Sequence, residues 1–228
     1  EPITEAESEP ETPAEPQAEE GCRTFNQTPF RDEVTDNYVL YRDQISFGDY
    51  EAAFPMWKFV FEKAPDADGK RNTVYTDGVK IYAHFFEQAE TDVAKKAIID
   101  TIMGLYDASL SCYGKTPEDR ARVQGMKAFD YYYKFSEYTT LEKTYDLFVS
   151  AFDTLGKESP AFLFNPFTAL MVDRLLAEEI SREEAQRWAA YLPELIEAKK
   201  AELDETIWRQ EGWDIVERYV PNRLESLE

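Results

Sequence analysis

The chain has 228 residues and a formal net charge of −21, from 46 acidic against 25 basic side chains and one histidine. An acidic surface repels phosphate backbones and anionic headgroups, which argues against nucleic-acid binding and against electrostatic docking on lipid. Hydrophobic content of 43%, only 9 glycines and the lack of any 18-residue apolar run predict a packed core without a membrane span.

Residues 1–21 read as a disordered acidic tail. Positions 1 to 20 hold eight glutamates and no Lys or Arg, and Pro2, Pro10, Pro13 and Pro16 block helix. The remainder then carries 46 − 8 = 38 acidic against 25 basic residues, a net of −13. A Glu, Pro and Ala tether beginning at Glu1 is typical of a segment that follows a removed signal, so export is expected. Residues 22–228 are expected to form one all-α domain, entered through a coil anchored by Phe25, Pro29 and Phe30.

The spacing of apolar residues predicts helices in antiparallel pairs. The first runs from about Glu33 to Phe47 and is broken by Gly48-Asp49; the second covers Tyr50 to Lys63, ending at Pro65. A third covers about Asn72 to Gln88. A fourth is capped by Thr91, carries Cys112 on its apolar stripe and ends at Gly114. Thr116-Pro117-Glu118-Asp119 opens a fifth that reaches about Phe135, and Thr139 or Thr140 caps a sixth closed by Gly156 and Pro160. The seventh spans about Pro166 to Glu179. Ser181-Arg182-Glu183-Glu184 reads as a capping box for an eighth that runs to about Gln210 with a kink near Pro193; a short helix follows Gly212. Acid-first pairs four apart (Glu178/Arg182, Glu183/Arg187, Glu205/Arg209, Asp214/Arg218) support the last helices. Trp208, Trp213, Ile215 and Val220 make the C-terminal end apolar, which suggests a continuation or a docking subunit.

Residues 37 to 65 resemble a tetratricopeptide repeat. Leu40 takes the large apolar position, Gly48-Asp49-Tyr50 the inter-helix turn, Ala53 the close approach, Trp57 and Phe61 the packing of the second helix, and Pro65 the terminator. Gly78 and Gly125 take small-residue positions in the first helices of later pairs, and helix stops 46 to 52 residues apart make the array an irregular α-solenoid. Over residues 35 to 115 the stretches Tyr38–Arg42, Trp57–Phe61, Tyr75–Tyr82 and Asp100–Asp107 look like exported tetratricopeptide-type proteins of Bacteroidetes-type bacteria. That resemblance implies a periplasmic or outer-membrane-associated scaffold.

Two cysteines cannot build a four-cysteine zinc site, and His84 cannot complete a mixed one, so no metal or other cofactor is expected. Cys22 and Cys112 are open to two readings: separate thiols, or one disulfide that pins the N-terminal segment onto the fourth helix. His84 has no sequence neighbour that orients its ring, and no nucleophile elbow, phosphate loop or zincin motif occurs. A non-enzymatic scaffold is therefore expected, holding a protein partner through which it would meet a membrane. Its contact surface is sought in the aromatic cluster Tyr131-Tyr132-Tyr133, with Phe129, Phe135 and Tyr138 beside it, and in the run Phe162-Leu163-Phe164-Asn165-Pro166-Phe167. The competing expectation is a glycan-binding surface protein that uses those aromatics as stacking faces.

Overall fold

A computed structural model describes residues 22–225. The expected tail, residues 1–21, lies outside the described residues. Among those described, ten α-helices follow one another and no strand forms: α1 Arg31–Phe47, α2 Tyr50–Lys63, α3 Thr73–Gln88, α4 Asp92–Tyr113, α5 Pro117–Tyr133, α6 Leu141–Leu155, α7 Phe164–Leu176, α8 Arg182–Glu202, α9 Glu205–Gln210 and α10 Trp213–Glu225. The chain is an all-α, irregular solenoid in which α1 pairs with α2, α3 with α4, and α5 with α6.

Local chemistry sets the ends of these helices. Gly48 closes α1 at φ 77, a left-handed cap that glycine adopts without a Cβ penalty. Asp49 then caps α2 by accepting from the Ala52 amide. Thr91, Thr116, Thr140 and Ser181 each accept from the amide three residues on, so Thr140 rather than Thr139 starts α6. The box at Ser181 is only half made, because the Glu184 carboxylate turns away to accept from the Tyr145 hydroxyl at 2.9 Å. The expected long eighth helix is two. It continues through Pro193, stops at Glu202, and restarts at Glu205. Asp204 accepts from both Thr206 and Ile207, while Leu203 tucks against the core, and together these outcompete helical continuation. Glu178 sits in a left-handed turn at φ 57, so it cannot share a helix with Arg182, whereas Glu205 and Arg209 do pair.

Two apolar cores result. One joins α1 to α4 with Val123, Tyr131 and Phe135; the other joins α5 to α10, and Leu147 packs against both. The inward stripe of α1 is Val34, Tyr38, Tyr41 and Ile45, at 3- to 4-residue spacing. Leu40, expected inside, is instead 51% exposed. A register displaced by one position turns a helical side chain by about 100°, and Tyr41 takes the interior place. Its hydroxyl donates to buried Asp77 at 3.4 Å, and Asp77 also pairs with Arg42 and Lys80. Trp57 is buried and donates to the Val74 carbonyl at 2.7 Å, Ala53 and Pro65 are buried, Phe61 stacks on Trp57 at 5.1 Å, and Tyr50 stacks on His84 at 4.8 Å. Cys22 and Cys112 are joined by a disulfide. Trp208, Trp213 and Val220 are consumed by the second core; of the four apolar residues noted near the C-terminus, only Ile215 remains 47% exposed.

Candidate functional site

The site is assembled where α5, α7 and α10 meet. Phe129 and Tyr133 lie one helical turn apart on α5, so both project from one face. Phe162 comes from the single turn of 3₁₀ helix Ala161–Leu163 that precedes α7. Gly212, at φ 82, permits the sharp entry into α10 and brings Ile215 and Val216 to the opposite wall. These residues line an apolar cleft of about 400 Å³, with Asn165 and Glu211 as its polar groups.

The aromatic wall is held by ring contacts. Phe129 lies 4.7 Å from Tyr133 and 5.5 Å, edge to face, from Phe162; Tyr132 meets Tyr133 edge to face at 4.8 Å. The polar frame is equally specific. The Asn165 amide donates to the Tyr133 hydroxyl at 3.0 Å, while Arg223 donates to both the side-chain and main-chain oxygens of Asn165. Glu211 accepts from the Trp213 indole at 3.2 Å. Burial raises the Tyr132 hydroxyl above its ordinary pKa, with Tyr133 and Asp173 adding to the effect. It stays a neutral phenol beside a cleft that offers stacking faces, an amide and a carboxylate.

The residues expected to meet a partner divide. Tyr133 and Phe162 are 49% and 39% exposed and are brought together. Tyr132 is half-buried behind them. Tyr131 and Phe164 are not contact residues: both are buried. Tyr131 faces the first core, where Lys143 lies 4.9 Å over its ring, and Phe164 packs on Phe152 and Trp213 at 5.0 and 5.2 Å. Successive residues on a helix diverge by about 100°, so three adjacent tyrosines cannot share one surface. Phe129 of the tyrosine cluster, Asn165 of the Phe162–Phe167 run and Ile215 of the apolar C-terminal end come together in the same cleft. Phe129 had a signal in its four-residue spacing from Tyr133, but Ile215 joins the cleft only through tertiary folding.

A second polar constellation lies at the α2–α3 contact. The His84 imidazole Nε2 lies 2.9 Å from the Glu51 carboxylate, and the Gln88 amide donates to the same carboxylate at 2.8 Å. The ring is thus oriented, by a residue 33 positions away rather than by a sequence neighbour. No cluster of three or more His, Cys, Asp or Glu able to hold a metal occurs among the described residues. No helix among them is long and apolar enough to cross a membrane. No protein-family model matches the chain, and comparison with curated proteins returns no match.

Proposed function

We propose that this chain is a non-enzymatic, tetratricopeptide-type scaffold of the bacterial cell envelope that holds a partner protein in the cleft between α5, α7 and α10. The observation that carries this reading is the persistence of Tyr133, Phe162 and Ile215 as exposed neighbours around one cleft. Large apolar side chains grouped around a concavity are what a partner's anchor residues fill. The burial of Ala53 and the close approach of Trp57 and Leu105 to Gly78 support the repeat assignment. The Cys22–Cys112 bridge supports an oxidising compartment, hence export. Contact with a membrane would come through the partner, as no helix among the described residues is long and apolar enough to cross one.

The test is a pull-down from envelope extracts with wild type and with the Tyr133→Ala/Phe162→Ala variant. A partner recovered by the first and lost by the second is expected. Recovery of nothing above background, or equal recovery by both, counts against the reading. A glycan ligand is the second reading, favoured by the Asn165 amide and Glu211 carboxylate beside the Tyr133 ring. A glycan array in which Tyr133→Ala removes a saturable signal would select it instead.

A further inference from the structure

A further concavity lies elsewhere, between α8 and α10, with a volume of about 560 Å³. α10 packs mainly on α7 and only its edge reaches α8, so the two helices flank an open groove. Its floor is apolar, formed by Ile196, Val220 and Leu224, and its α8 wall is made of Ala189, Ala190 and Pro193. Residues this short leave the α8 backbone open to close approach by another helix. The rim is charged with one sign: Glu197, Glu217 and Glu225 face the groove. Glu217 is paired with Lys200, whose charge also reaches Glu197, while Glu197 and Glu225 form no ion pair among the described residues.

Charge selects the occupant. A second copy of this chain brings a net of −21, and its own residues 1 to 20 bring eight more carboxylates and no cation, so both are repelled by the rim. An amphipathic helix with a leucine-type face and Lys or Arg along its flanks satisfies floor and rim together. We propose that the α8–α10 groove binds such a basic amphipathic helix from a partner protein, at a site separate from the aromatic cleft.

The probe is a synthetic 18-residue helical peptide with leucines on one face and lysines on the flanks, labelled for fluorescence anisotropy. A matched peptide carries glutamates on the flanks. The full chain is expected to bind the lysine peptide saturably, to ignore the glutamate peptide, and to lose affinity as salt rises. Ala190→Trp, which fills the exposed α8 wall, should weaken binding at least ten-fold. Glu197→Lys/Glu225→Lys should exchange the preference between the two peptides. Both variants alter exposed positions, so thermal melts should match wild type, and if Ala190→Trp fails to fold, the charge exchange decides alone. Tyr133→Ala should leave lysine-peptide binding unchanged, which separates this site from the aromatic cleft. The proposal is overturned by absence of saturable binding, by equal binding of the two peptides, by variants that bind like wild type, or by loss of binding in Tyr133→Ala.

Discussion

Gly78 shows how a single missing side chain fixes the spacing of two helices. A Cβ built there would fall well inside contact distance of the rigid Trp57 indole and 3.0 Å from a Leu105 methyl. Trp57 cannot retreat without losing its 2.7 Å bond to the Val74 carbonyl. Gly78→Ala should therefore destabilise the fold by about 1–3 kcal/mol, the usual range for overpacking, although alanine is the better helix former. Urea unfolding checks this, and an unchanged or higher midpoint would refute the packing. Glu51 offers a pH-dependent contrast. Hydrogen bonds to His84 and then Gln88 hold its carboxyl down at about 2, against 4.5 ordinarily. A carboxyl depressed on folding stabilises fully above its unfolded value, and that contribution is lost as pH falls from about 4.5 towards about 2. Glu51→Gln should consequently show a smaller drop in melting temperature between pH 6 and pH 3 than wild type; identical acid sensitivity would mean that the α2–α3 tie is absent in solution. Residue identity alone reveals part of this. The small size of Gly78 is legible, because glycine inside a helical pattern asks for a packing reason. The Tyr41–Asp77 and Glu51–His84 pairings are not, because each joins residues more than 30 positions apart and a carboxylate bound for the interior looks like any solvated one.

Helix ends were the most legible elements because their chemistry is local. Gly48, Asp49, Thr91, Thr116, Thr140 and Ser181 all act through atoms within four residues. The break between α8 and α9 was hidden for the opposite reason: the apolar spacing continues across it, and Asp204 caps only because Leu203 is drawn to the core. The disulfide also acts at this scale, tying the segment before α1 to the end of α4 across a sequence separation of 90. Cys112 is buried and lies 3.2 Å from the Tyr75 hydroxyl, so it is already placed by α3 and α4. Opening that loop should cost about 4–5 kcal/mol by the chain-entropy estimate. Urea midpoints of oxidised and reduced protein measure the difference, and coincident curves would show that the bridge constrains nothing in the unfolded chain.

At the scale of the molecule, two apolar cores meet at Leu147 within a series of packed helices, and concavities near α10 interrupt the acidic exterior. The all-α architecture follows from periodicity and punctuation, which the chain carries throughout. The candidate site does not follow so directly. Aromatic richness marks the stretches that reach the cleft, yet Tyr131 and Phe164 go to the interior while Phe129 and Ile215 line the cleft. Which of several adjacent aromatics stays outside depends on the helix that packs over them, and α10 comes from 80 residues further along. Site-specific photocrosslinking in intact cells tests the docking account most directly, with the reactive group placed at position 133, 162 or 215, and at position 93 on α4 as a surface control where Val93 is 82% exposed. One protein adduct shared by the three cleft positions and missing from position 93 is the expected result. Adducts of equal yield at all four positions, or at position 93 alone, would contradict a partner seated in the cleft.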